Sequence, residues 1–475
     1  MPINDWETVG KNCVRTLTSW ARRAMEHAVP VAVARSFGGG GASSAALRGS
    51  AGALAIKCTA LLLGFLSSVV LTRTLGVEGF GTYSLALGWI LLCAVPIQSG
   101  IVGVVVRELA GYRATGSFAL ARGLLLFGNS IAVTVAVVCA ALLHIYWKAT
   151  IGNDASGVTP ETAVWALALL PIYCLSAMRS AALRGLGKVF AGLVPDETVR
   201  PLVQLAVLVL VAGLLDWQLN PEAAIRIHLG ASIVGFVVGA VLLLRALPAG
   251  MKHGTAEYAV GDWLRPAAAF TLVSGFGAIL QSMVVVILGS QTGSGDVGLF
   301  KAAQQLAALT GILIVAVNAA SAPHIASLYR AGNRDELARL LRHAAIMMVI
   351  GTAPLSVAMI AFAAPILGMV FGESYIAAYP SLIVLAGGQL MVSSLGLVGL
   401  LLNMSGHEND TLACCLVAIA ATLATALGLV DRFGSLGAAV AVVAGQFVLS
   451  ALLLWRVKVR IGISTSVFAR PSNEP

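Results

Sequence analysis

Charge is what this sequence is short of. Only 11% of its 475 residues are Asp, Glu, Lys or Arg, where a soluble globular domain carries about 25%, and the mean hydropathy is +0.91. Water is therefore not the solvent for most of the surface. Paired cysteines are lacking too. The seven cysteines (Cys13, Cys58, Cys93, Cys139, Cys174, Cys414 and Cys415) are odd in number and show no C-x-x-C spacing, which argues against a disulfide framework or metal centre and leaves them as small membrane-core residues. Catalytic signatures are missing as well. The seven His (His27, His144, His228, His253, His324, His343, His407) are scattered, with no H-E-x-x-H, no G-x-S-x-G and no Gly-rich phosphate loop ending in Lys-Ser or Lys-Thr. No enzyme, no ATP motor and no cofactor is expected.

What is present is a series of long apolar runs, each able to cross a hydrocarbon core about 30 Å thick at about 1.5 Å per residue. Runs such as Leu205 to Leu215 and Ala344 to Ala364 are apolar on nearly every face, whereas outer-membrane strands alternate polar and apolar positions. The expected fold is thus all-α, a polytopic membrane protein with twelve spans near 52 to 72, 82 to 105, 120 to 144, 162 to 183, 199 to 216, 226 to 246, 266 to 289, 298 to 320, 344 to 364, 377 to 402, 410 to 430 and 434 to 455. Connections are short, which disfavours a separate catalytic domain. The first 50 residues contain no short apolar stretch ending in a cleavage site and carry Gly38 to Gly41, so they read as a cytosolic tail with a Gly-rich linker rather than a signal peptide.

Of the 30 Lys and Arg residues, 24 fall on one side of that layout, Arg73, Lys148, Arg226, Lys301 and Arg432 on the other, and Lys57 inside span one. The positive-inside bias then places both termini in the cytoplasm and accounts for the net charge of +9 without nucleic acid as a partner. Trp147, Trp165 and Trp217 near outer ends, and Trp263 and Trp455 near inner ends, suit interfacial belts.

Sliding the chain by 217 positions lays Gly76, Gly81, Tyr83 and Ala86 on Gly293, Gly298, Phe300 and Ala303, and a second, weaker match at an offset of 219 sets Gly187-Lys188 against Gly406-His407 in the corresponding later loop. Six spans separate the copies, so the halves share one orientation, a parallel repeat. The expected organisation is a tail (1–50), an N-terminal six-helix bundle (51–248), a linker (249–265), a C-terminal six-helix bundle (266–456) and a C-tail (457–475). Two lobes with a cleft between them predict a carrier.

Charges near or inside apolar spans are the candidate site, because an uncompensated ion there is costly. Arg73, Arg107, Arg179 and Lys301 are the candidate substrate contacts, with Glu78, Glu108 and Asp296 as charge partners or helix caps. Arg107, Arg184 and Lys57 near inner ends also fit snorkelling to the interface. Arg73 and Lys301 defy the positive-inside bias. Pro96, Pro171 and Pro354 sit inside spans and are candidate hinges.

The stretch Leu71-Thr-Arg-Thr-Leu-Gly-Val-Glu-Gly-Phe-Gly-Thr-Tyr-Ser-Leu-Ala86, followed by Val106-Arg-Glu-Leu-Ala110, resembles the polysaccharide transporter (O-antigen flippase-like) family of the multidrug/oligosaccharidyl-lipid/polysaccharide exporter superfamily. Leu183-Arg-Gly-Leu-Gly-Lys188, Gly298-Leu-Phe300, Pro323 with Leu328-Tyr329, and Phe371-Gly-Glu-Ser-Tyr375 continue the likeness over residues 50 to 455. The resemblance implies a twelve-helix, two-bundle flippase that moves a polyprenyl-diphosphate-linked oligosaccharide by alternating access. Membrane lipid, a polysaccharide polymerase and chain-length proteins are the implied partners. Rival readings are a cation-coupled multidrug antiporter, which would favour Asp or Glu near a span centre, and a membrane glycosyltransferase or ligase or an assembly scaffold.

Overall fold

The computed structural model describes residues 43–150, 158–214, 219–248, 250–251 and 255–462. Residues Met1–Ala55 and Ile56–Pro475 form separate units, and everything below concerns the second. The tail with Gly38 to Gly41, Trp217 and the C-tail beyond residue 462 lie outside the described residues.

Among the described residues the fold is all-α. The helices are α1 (Ser43–Val95), α2 (Val102–Thr115), α3 (Phe118–Thr150), α4 (Pro160–Gly185), α5 (Val189–Val194), α6 (Arg200–Leu214), α7 (Pro221–Ala246), α8 (Val260–Thr292), α9 (Ser294–Thr310), α10 (Ile312–Arg330), α11 (Arg334–Ala361), α12 (Ala363–Phe371), α13 (Tyr379–Leu395), α14 (Val398–Met404) and α15 (Glu408–Arg460). Among the described residues, nine stretches are long and apolar enough to span a bilayer. Two of them, Leu54–Thr115 of 62 residues and Asn409–Arg460 of 52, would each extend beyond about 75 Å if straight, more than twice the hydrocarbon core. Each must fold back on itself. The backbone leaves the helix at Gly76 (φ 68°, ψ −174°) in the first and at Gly434 (φ 53°, ψ −128°) in the second. With the shorter α6 these make the twelve legs expected of a multi-pass membrane protein. The sequence limits miss two details: span eight is broken between α9 and α10 at Gly311, and span ten between α13 and α14 at Gly396.

Helix ends follow local chemistry. Thr159, Asn220 and Asn333 accept from Thr162, Ala223 and Glu336 backbone N–H groups, capping α4, α7 and α11. Gly116, Gly187, Gly332 and Gly406 end legs two, four, eight and ten with φ of 73°, 77°, 72° and 79°. In each turn the next residue's N–H reaches back across it: Ser117 to Tyr112, Lys188 to Leu183, Asn333 to Leu328 and His407 to Leu402, at 2.8 to 3.2 Å.

The repeat read from the sequence is written in the backbone. Gly293 adopts φ 87°, ψ −175°, the same unusual conformation as its partner Gly76, and the turn glycines pair as 116 with 332 and 187 with 406. Tyr83 and Phe300, and Ala86 and Ala303, are buried as pairs. At Gly81 and Gly298 the copies meet. A Cβ on Gly81 would overlap the Ser294 carbonyl, and one on Gly298 would overlap the Val77 carbonyl; Ser294 and Val77 are themselves related by the same shift. Gly81→Ala or Gly298→Ala is therefore expected to cost about 1–3 kcal/mol of stability or more, because backbone rather than a flexible side chain must give way. A lowered unfolding midpoint of the purified protein in detergent checks this, with Gly111→Ala, which meets nothing within 4 Å, as the control.

Pro96 does not simply kink its helix. It opens a π-helical turn, Pro96–Ile101, that packs on α8: a Cβ on Gly100 would overlap Thr271, and one on Gly275 would crowd Val95 and Ser99. Trp147 and Trp263 are 1% exposed, so they are core residues and not interfacial anchors. Trp263 donates its indole N–H to Tyr112 Oη at 3.0 Å. Trp165 and Trp455 remain exposed.

Candidate functional site

Lys301 lies about two turns into α9, beside buried Phe300 and Ala302. Its side chain is half-buried, and Nζ donates to Gln304 Oε1 at 2.8 Å. Among the described residues no carboxylate lies within 4 Å of it. An ammonium whose partner is a neutral amide keeps donors for an anion. The same helix faces α1, since a Cβ at Gly64 would sit 3.9 Å from Gln305 Nε2.

The other candidates are differently placed. Arg73, at the exposed end of leg one, donates Nε to the Val370 carbonyl at 2.8 Å and Nη2 to that of Met369, the last carbonyls of α12. Arg107 forms a pair with its neighbour Glu108 at 2.8 Å and lies 5.4 Å from the Phe270 ring of α8, so it sits where the two halves meet. Arg179 is 4% exposed and belongs wholly to the first half: Nη2 pairs with Asp196 Oδ2 at 2.6 Å and Nη1 donates to the Gly235 carbonyl at 2.9 Å. Gly239 makes room for it, since a Cβ there would overlap the guanidinium. Asp296 caps a helix, but not its own. Its Oδ1 accepts from Ser435 N at 3.2 Å, where leg twelve starts after Gly434. Glu78 is exposed over Gly295. These seven residues do not converge on one point.

A buried polar network in the first half escaped the sequence reading. Gln204 Nε2 donates to Tyr83 Oη at 3.1 Å, and His228 bridges two hydroxyls, bonding Tyr83 Oη through Nδ1 at 2.8 Å and Tyr173 Oη through Nε2 at 2.7 Å. Arg200 lies over the Tyr173 ring at 5.1 Å. Four legs are thereby tied by polar bonds inside an apolar body. The available signal was His228, ionisable inside a span. Asp196 was missed because it falls in the π-helical turn Pro195–Val199 between α5 and α6, continuous with leg five, just before the expected limit of that span. A cavity of about 220 Å³ lies at the Gly332 turn, lined by Leu328, Tyr329, Gly332, Arg334, Leu337 and Ile461; none of the candidate cations borders it.

Residues 46–329, more than half of the chain, match the family model described as polysaccharide biosynthesis protein. The chain belongs to the polysaccharide biosynthesis protein family. Residues 271–409 also match the MatE family model, so the second half of this family member carries the signature of a related transporter family. No protein of curated function matches. Among solved structures, the family member is similar to the lipid II flippase MurJ in an inward closed conformation, with 14% identity, a TM-score of 0.66, and coverage of 85% of this chain and 86% of that one. An inward-facing multidrug resistance MATE family transporter of the MOP superfamily gives 15% identity, TM-score 0.65, and coverage of 85% and 94%. An outward-facing MATE family transporter gives 14%, 0.58, 86% and 94%. The chain shares its fold with these three proteins.

Proposed function

We propose that this protein is a carrier, not an enzyme, that moves a polyprenyl-diphosphate-linked oligosaccharide across the bacterial inner membrane by alternating access. The bundles 51–248 and 266–456 are its two moving bodies, joined by 249–265, and both termini are cytoplasmic. The observation that carries the reading is Lys301: a half-buried ammonium with a neutral amide as its partner, on a helix facing α1. A diphosphate and its sugars cannot cross hydrocarbon unaided, and a cation held between two halves replaces water around the phosphate. Arg107, at the seam with α8, is the second contact. Arg73 is held by the carbonyls that end α12 and Arg179 is buried against Asp196, so both serve the cargo less directly than Arg107, which stays exposed beside Glu108. The family match to polysaccharide biosynthesis and the likeness to a lipid II flippase support this cargo class.

One observation favours the rival multidrug antiporter: Asp196 is an acid within helix continuous with leg five, the residue type a cation-coupled exchanger would use. Its 2.6 Å pair with Arg179 speaks against that use, because a carboxylate so engaged is not free to exchange ions. Proteoliposomes holding the purified protein and a fluorescent polyprenyl-diphosphate disaccharide decide between them. Movement of label to the opposite leaflet, absent with a cationic dye as cargo, supports the flippase; dye exchange without label movement would overturn it.

A further inference from the structure

We propose that Arg73 and Tyr375 form a latch between the two halves at the Gly76–Gly293 end, and that it must release for the carrier to open on that side. The inference rests on the alternating-access reading above. Arg73 ends leg one of the first half. The carbonyls it engages, Met369 and Val370, end α12 of the second half, nearly 300 residues away. The last carbonyls of a helix have no intrahelical donor and carry the negative end of its dipole, and Gly372, with φ 114°, stops α12 immediately afterwards. A guanidinium is a matched partner for two such oxygens.

Tyr375 makes the reciprocal contact. From the short 3₁₀ segment Glu373–Ala378, its hydroxyl donates to the Gly76 carbonyl at 2.9 Å, at the point where Gly76 breaks its helix. Phe371 packs edge-on against Phe65 of leg one, ring centroids 6.2 Å apart. Each half thus offers a broken helix end, and each supplies the donor that the other lacks.

Two features make this a switchable contact. Arg73 is exposed and Met369 is 78% exposed, so on parting both the guanidinium and the carbonyls regain water. The pair is also not a requirement of the repeat. The shift of 217 carries Arg73 to Ser290, whose hydroxyl bonds the Ile287 carbonyl of its own helix at 2.9 Å. The latch lies beside the Gly81–Gly298 contact, where the halves meet backbone to backbone. At the other end, Trp263 to Tyr112 and Glu257 N to the Ala119 carbonyl at 3.1 Å join the halves at the start of α8, next to the chain that links them covalently.

The test places spin labels through non-canonical residues at exposed Glu78 and Glu373, one in each half, and measures their distance distribution in lipid nanodiscs without cargo. Arg73→Ala and Tyr375→Phe are each expected to raise the ratio of separated to closed populations by roughly tenfold, the equivalent of one charged or buried hydrogen bond. Arg73→Lys, which keeps a cation able to donate to carbonyls, restores most of the closed population. Unchanged distributions in both loss variants overturn the latch, as does a variant that unfolds at lower temperature while remaining closed, for that is a strut. The cargo reading fails separately: populations that shift as expected while wild-type protein moves no polyprenyl-diphosphate disaccharide would leave the latch standing.

Discussion

Replacing Lys301 with Gln is expected to slow movement of a polyprenyl-diphosphate disaccharide in proteoliposomes by about tenfold to a hundredfold at matched protein levels. A charge-assisted hydrogen bond contributes about 1.5–3 kcal/mol, and each 1.36 kcal/mol is about a factor of ten in rate. The loss should be selective for the anionic group. A polyprenyl-linked sugar lacking phosphate gains nothing from the ammonium, so the variant and the wild type should handle it equally. Folding should be almost untouched, because Nζ bonds Gln304 and no carboxylate, and removing a cation without an acid partner strands no buried charge. Lys301→Arg should retain most activity. A Gln variant that moves diphosphate cargo at the wild-type rate would remove Lys301 from the site.

What the sequence made legible was whatever depends on neighbours in the chain. Apolar runs located the legs because a backbone in lipid must satisfy itself within one helix. The 217-residue shift identified Gly76 and Gly293 as equivalents, and their backbones agree because both make the same unusual turn that glycine tolerates. Gly187 and Gly406 were legible for the same reason. What stayed hidden depends on partners far along the chain. Asp296 looked like a cap for the helix after it, yet its acceptor role is towards Ser435, 139 residues on. Arg73 looked like a charge on the wrong side with Glu78 as its candidate partner, but its carbonyl partners become available only where α12 happens to stop. Trp147 and Trp263 were read as interfacial from their position at span ends, whereas lateral packing, invisible in a hydropathy profile, buries them.

The buried pair in the first half should produce the largest change in stability. Asp196→Ala leaves Arg179 charged, 4% exposed and bonded only to helix carbonyls, and breaking one side of a buried pair in this way costs about 3–5 kcal/mol. The midpoint of denaturation in detergent should fall accordingly, and transport should fall only as far as folded protein does. Arg179→Met with Asp196→Leu together should recover part of the loss, since Arg179 then strands no buried charge and the Gly235 carbonyl, inside α7, keeps its helical donor, while Arg184 and Arg200 still lose the Asp196 carboxylate beside them. The same logic reaches Gly239. In the wild type a Cβ there would overlap the Arg179 guanidinium, so Gly239→Ala should be strongly destabilising alone. In the Arg179→Met background the flexible thioether can yield, and the alanine should become nearly neutral. Additive costs for Gly239→Ala and Arg179→Met would show that the guanidinium does not occupy the space the glycine leaves.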